Sequence, residues 1–238
     1  MSHSDYDYLQ EHRRVWSAKP VLQRIYREQF YCRILAARAP GQRTLEIGSG
    51  PGLIADIEPS VIRSDILHSP WIHLSVDAHH LPFATDSLDN VIGLDVLHHF
   101  SQPLAAIKEI TRSLRPGGKL ILVEPWITPF SRIVYTHFHQ EDCDLSAEPW
   151  IVDNEPDIQK QAFDGNAAIP YLLVTRAQQQ SRILIPELLL DSVKPFSSLT
   201  YLFSFGFKPV NMMPMFLYPF VKPFSSLTYL FSFGFKPV

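Results

Sequence analysis

Glu46-Ile47-Gly48-Ser49-Gly50-Pro51-Gly52 sets a carboxylate at the end of an apolar run and follows it with glycine at every second position. Glycine takes positive φ at little cost and lets backbone N–H groups approach a ligand with no Cβ between them. A helix after such a turn points its unpaired N-terminal donors at the same place. This is the chemistry of a cradle for a polar, nucleotide-like ligand. The spacing differs from G-x-G-x-x-G, in which the third glycine packs helix on strand, and so argues against NAD. Asp65 and Asp77 close two further short runs, Asp95, His98 and His99 follow another, and Glu124 ends a fourth. An imidazole titrates near pH ~6.5, so either histidine suits removal of a proton from an oxygen acceptor.

The surrounding segments come in a recognisable order. Asp77-Ala78-His79-His80-Leu81-Pro82-Phe83, Ser87-Leu88-Asp89-Asn90-Val91-Ile92, Leu97-His98-His99-Phe100, Leu114-Arg115-Pro116-Gly117-Gly118-Lys119-Leu120 and Val123-Glu124-Pro125 follow the glycine turn. Together they resemble the small-molecule branch of the class I S-adenosylmethionine (SAM) dependent methyltransferases, of the methyltransferase type 11 kind. The resemblance implies SAM as cofactor and a doubly wound, mostly parallel, Rossmann-like α/β sheet with a cap inserted after the fifth strand. It implies that Gly48, Ser49, Gly50 and Gly52 approach the methionine and ribose, and that Glu46 helps hold the ammonium. Asp65 would accept the ribose hydroxyls, Asp77 with the Ala78 backbone would meet the adenine amino group, and Asp95 would line the crevice. His98 or His99 would take the acceptor's proton, and Glu124 would contact the acceptor. For Asp65 the plain alternative is a cap or a solvated carboxylate; for the histidines it is a backbone hydrogen bond and packing.

Elements must position these groups. Leu22, Ile25, Tyr26, Phe30 and Ile34 recur at helical steps after Pro20, which predicts a leading helix over 20–39. Strands are expected at 43–47, 61–66, 72–76, 90–94 and 119–123, with helices at 53–57 and 104–114. Residues 67–71 are too few for the usual crossover helix between parallel strands, so a tight loop is expected there. Residues 126–166, broken by Pro129, Pro149 and Pro156, read as a substrate cap over the carboxyl edge of the sheet. A helix over 167–180 and an edge strand over 183–193, interrupted by Pro186, complete the domain, which we place at 1–192.

The tail, 193–238, holds an anomaly. VKPFSSLTYLFSFGFKPV occupies 193–210 and again 221–238 without one difference. Two copies are too few for a stacked repeat. The first copy is expected to take the position in the fold, with the second peripheral, paired on its edge, or exposed.

Composition bounds the rest. The chain has 238 residues, 46% hydrophobic and 19% charged, with net charge -3. That suits one core of ordinary size and gives no electrostatic footprint for nucleic acid, so a small-molecule substrate is expected. Arginines crowd the first forty residues, where helical spacing makes a solvated face the simpler reading. A polar, acidic start, two cysteines without metal spacing, and no apolar stretch long enough to span a membrane point to the cytoplasm. His137 and His139 share a face only on a strand and have no distant partner pair, so no metal site is expected. A rival function from another class is a catalytically inactive SAM- or nucleotide-binding module that works through partner contacts.

Overall fold

The computed structural model describes residues 3–137, 141–151, 162–176, 185–196, 204, 206–208, 215–218 and 228–235. Its helices are α1 (His3–Ala18), α2 (Pro20–Ile25), α3 (Cys32–Ala36), α4 (Pro103–Ser113), α5 (Pro129–His137) and α6 (Ile169–Thr175). Its strands are β1 (Thr44–Ile47), β2 (Ile62–Asp65), β3 (Leu74–Ser75), β4 (Leu88–Leu94), β5 (Leu114–Pro125), β6 (Leu188–Phe196) and β7 (Thr228–Phe235). They form one sheet in the order β3-β2-β1-β4-β5-β7-β6, parallel through β5, with β7 antiparallel to both its neighbours.

The chain runs outward from β1 to β3 and then returns to place β4 on the other side of β1. That reversal opens a crevice beyond the carboxyl ends of β1 and β4, where open α/β sheets bind ligands. Successive side chains of a strand point to opposite faces, and β5 shows the consequence. Ile121 and Val123 pack with Leu22, Ile25 and Phe30 of the leading helices, whereas Leu120 and Leu122 pack with Ile107 and Ile110 of α4 and Leu173 of α6. With both faces covered, β1, β4 and β5 read as apolar runs.

Several expectations shift. The leading helix is present, but Tyr26–Tyr31 forms a π turn between α2 and α3. The helix expected at 53–57 is a single 3-10 turn, Leu53–Asp56. Residues 66–73 link β2 to β3 without a helix, in line with the short connection. Helix α1 was not anticipated. Its polar sequence hides three buried side chains, Leu9, Val15 and Trp16, which are 2 to 3% exposed. In β5, Leu114 already pairs with Leu88 before Arg115-Pro116-Gly117-Gly118 bulges out and pairing resumes at Lys119 opposite Asn90.

The tail meets its expectation in part: the second copy pairs with the first, Thr228 opposite Phe196 and Phe231 opposite Val193, but it is the second copy that takes the interior position. The second copy supplies β7, which lies between β5 and β6 in the sheet, with Lys119 opposite Gly234 and Pro125 opposite Thr228. The first copy supplies only the end of β6, through Val193 and Phe196, at the sheet edge where Pro195 is tolerated. Its Ser204 and Gly206–Lys208 segment turns instead onto the start of the chain. Lys19 Nζ donates to the carbonyls of Ser204, Gly206 at 2.8 Å and Lys208 at 3.0 Å, and Phe207 stacks on His12. Identical residues cannot differ in local preference, so tertiary partners decide. A buried ammonium requires acceptors, and these carbonyls are what Lys19, 6% exposed, finds.

Among the described residues no helix is long and apolar enough to cross a membrane.

Candidate functional site

The glycine turn leaves β1 with Gly48, Gly50 and Gly52 all at positive φ, 64°, 49° and 67°. Their reasons differ. A Cβ on Gly48 would lie 2.2 Å from Val96 Cγ2, and one on Gly52 would lie 2.6 Å from the Trp71 carbonyl, so protein packing alone excludes side chains there. Among the described residues, a Cβ on Gly50 would meet only Leu9 Cδ2 at 3.8 Å. Packing among the described residues therefore does not require glycine at Gly50, whose nearest neighbour is Leu9 of α1.

Carboxylates brace this turn from behind. Ser49 Oγ donates to Glu46 Oε2 at 2.6 Å and Tyr31 Oη to Glu46 Oε1 at 2.8 Å. Glu46 is 2% exposed, and burial pushes it up to about 7 against the lowering effect of those two donors. Asp65 accepts the Gly50 N–H at 2.7 Å and the Leu67 N–H at 2.9 Å, and burial raises it as well. Glu46 lies near the end of β1 and Asp65 ends β2, and both already bind protein donors. Asp77 caps its own turn through the His79 N–H at 2.9 Å and pairs with His79 Nδ1 at 2.6 Å, which holds its carboxyl low. Ala78 beside it is buried. Ile66, next to Asp65, is 58% exposed, an apolar surface on the open side of the turn.

Across the crevice, β4 ends in Asp95, at φ 51°, whose N–H donates to the Val123 carbonyl at 2.8 Å. A 3-10 turn, Leu97–His99, follows. Glu124, fully buried, organises it: Oε1 accepts the Val96 and Leu97 N–H groups at 3.0 and 2.8 Å, and Oε2 pairs with His98 Nδ1 at 2.7 Å. Glu124 therefore stands behind His98. It cannot contact an acceptor as the sequence reading expected, because the strand it ends is covered and both its oxygens are engaged.

His98 points its other nitrogen at Glu141, with Nε2 3.1 Å from Oε2, and His99 Nε2 lies 3.7 Å from Oε1 of the same carboxylate. Burial opposes charge on His98, but the hydrogen bonds and charges of Glu124 and Glu141 outweigh it and raise the imidazole to about 10. His99 goes the other way: burial and the charge of His98 lower it to about 4. Desolvation and the charge of Glu124 raise Asp95, which solvent still reaches. The two histidines therefore differ at neutral pH, one a cation and one neutral.

The segment after β5 closes over this turn. Asn166 N–H donates to the His98 carbonyl at 3.0 Å, and a Cβ on Gly165 would fall 3.0 Å from both imidazole rings. Tyr135 of α5 is raised by burial and then by the charges of Asp95, Glu141 and Glu124, which places its phenol among them. Of the stretch His137 to Cys143, residues 138–140 and the His137 side chain lie outside the described residues. Among the described residues, His98, His99 and Glu141 bring ligand atoms within 4.8 Å of one another.

Sequence reading missed Tyr31, Leu9 and Tyr135. Tyr31 sat in a helical stripe and looked like core; only the π turn aims it at Glu46. Leu9 belongs to a helix too polar to read, and Tyr135 to a stretch without periodicity.

Comparison with known proteins converges on this region. A family model described as a methyltransferase domain matches residues 45–122. A demethylmenaquinone methyltransferase from Renibacterium salmoninarum is 34% identical over 116 residues, covering 42% of this chain and 48% of its own. A tRNA U34 carboxymethyltransferase from Desulfotalea psychrophila is 34% identical over 80 residues, 30% of this chain and 25% of its own. The chain thus spans half or less of the length of these relatives. The crystal structure of a SAM-dependent methyltransferase from Thermotoga maritima superposes with TM-score 0.53 at 15% identity, covering 99% of this chain and 100% of the other, and so shares its fold.

Proposed function

Because the chain carries a class I SAM-dependent methyltransferase domain, we propose that it binds SAM in the crevice between β1 and β4 and transfers its methyl group to a small-molecule acceptor. The observation that carries this is Gly50, a positive-φ glycine where an added Cβ would meet, among the described residues, only Leu9 Cδ2 at 3.8 Å. The backbone at Gly48 to Gly52 would cradle the methionine and ribose, with Glu46 and Asp65 fixing the turn from beneath. Ile66 would lie against adenine, and Asp77 with Ala78 would border it.

SAM supplies a methyl carbon activated by the sulfonium. The chain's own residues would orient the acceptor and exclude water, which is where much of the rate of such a displacement arises. The acceptor O–H or N–H bond breaks, the new bond to methyl carbon forms as the S–CH3 bond breaks, and S-adenosylhomocysteine leaves. His99, kept neutral, is the group placed to receive the acceptor's proton, His98 would orient the acceptor, and Glu124 is a positioning residue behind His98. A small molecule suits the site better than tRNA. Asp95, Glu124 and Glu141 make it acidic, and Arg13, Arg14, Arg24 and Arg38 near the start of the chain pair with Asp56, Glu11, Glu28 and Glu58. The relative named for tRNA makes this a point for direct test.

Calorimetry with SAM, S-adenosylhomocysteine and NADH, followed by methyl-transfer assays on phenols, quinols, amines and tRNA, tests the reading. Transfer to tRNA alone would overturn the small-molecule acceptor, and tight SAM binding without transfer to any acceptor would favour an inactive binding module.

A further inference from the structure

We propose that His98, His99 and Glu141 form a divalent transition-metal site at the acceptor end of the crevice. An ion pair accounts for His98 against Glu141, 3.1 Å apart. His99 brings a second imidazole to the same carboxylate, its ring centroid 4.2 Å from that of His98 and its Nε2 3.7 Å from Glu141 Oε1. Two imidazoles converging on one carboxylate form a set of nitrogen and oxygen donors. Metal bonds of about 2.0–2.2 Å to such donors leave neighbouring ligand atoms roughly 3–3.5 Å apart, so the observed separations need only small side-chain movements to close on an ion.

The shell behind the donors has the form such a site requires. A metal-bound histidine characteristically gives its other N–H to a carboxylate, which fixes the ring and its tautomer. His98 Nδ1 meets Glu124 at 2.7 Å, and Glu124 is itself locked by the Val96 and Leu97 N–H groups. Three carboxylates, Asp95, Glu124 and Glu141, converge on the pocket, so a dication would balance charge. Glycine at 165 leaves room for both rings, since a Cβ there would fall 3.0 Å from each. Two imidazoles with one carboxylate favour ions of the zinc, cobalt, manganese and iron kind over magnesium or calcium, which prefer oxygen.

Three protein ligands leave a coordination position open. Resting here on the methyltransferase reading, we assign that position to the acceptor's oxygen. The cation would lower the pKa of the O–H group, whose proton passes to solvent before the O–CH3 bond forms and the S–CH3 bond breaks. The acceptor class is then an alcohol, enol or phenol.

The test is titration of the chelator-treated full chain with Co2+, followed by visible absorption and calorimetry. The expected result is one saturable site with d–d bands, weakened at least tenfold by His99→Ala and by Glu141→Gln. Glu124→Gln should weaken it about 10- to 100-fold through the outer shell. Thermal melts establish that each variant is folded; should His99→Ala unfold, Glu141→Gln on the cap and the wild-type spectrum still decide. Absence of saturable binding, or binding indifferent to both His99→Ala and Glu141→Gln, would overturn the site. SAM affinity measured on the same metal-free protein separates this outcome from failure of the methyltransferase reading.

Discussion

Gly50 concentrates the cofactor hypothesis in one position. At φ 49° any side chain costs about 1–2 kcal/mol in backbone strain, yet the nearest protein atom would be 3.8 Å from the new Cβ. Gly50→Val should thus stay folded with a modest fall in melting temperature while SAM binding disappears; unchanged affinity would show that the turn does not face the ligand. Glu124 differs because it is buried and paired. Glu124→Ala leaves His98 as a buried cation with half its partners and should cost about 3–5 kcal/mol in denaturant unfolding; a loss under 1 kcal/mol would mean the pair contributes little. His98 also sets a pH dependence. Its folded value, about 10, lies above the ordinary 6.5, so its stabilisation is complete below about pH 6.5 and fades as pH rises through 10. Glu46, near 7, is largely ionised by pH 8. In the chelator-treated protein, stability between pH 8 and 10 should therefore fall in the wild type and less in His98→Gln.

At the scale of elements, the strand pattern was legible where burial on both faces wrote long apolar runs, as in Thr44–Ile47 and Lys119–Val123. Helix α1 was hidden because three buried side chains among sixteen residues leave little periodicity. The histidine turn was legible as Leu-His-His-Phe, but its electrostatics depend on Glu141, which arrives from a cap whose fold no local pattern encodes. The duplicated tail shows the limit most plainly. One copy of Thr-Tyr-Leu-Phe-Ser-Phe-Gly-Phe forms β7 and the other ends in a turn on Lys19, so no reading of those eight residues could assign both. An interior strand bonds on both edges. Leu230→Pro should then cost about 3 kcal/mol or more, read as a lower denaturation midpoint. A variant as stable as wild type would mean that the slot between β5 and β6 does not depend on the second copy.

For the whole molecule, the proposed reading makes the sheet order and the crevice at its reversal the place where a cofactor would be held beside an acceptor. The fold alone is shared by enzymes with unlike acceptors, so function must rest on the site. A ligand that binds only the folded state stabilises it by about 2.7 kcal/mol at a hundred times its Kd. Calorimetric titration of the full chain with SAM, beside NADH and the Gly50→Val variant, addresses the cofactor directly. Saturable one-to-one binding of SAM and S-adenosylhomocysteine, lost in Gly50→Val and absent for NADH, is the predicted result. Binding of NADH without SAM would contradict it.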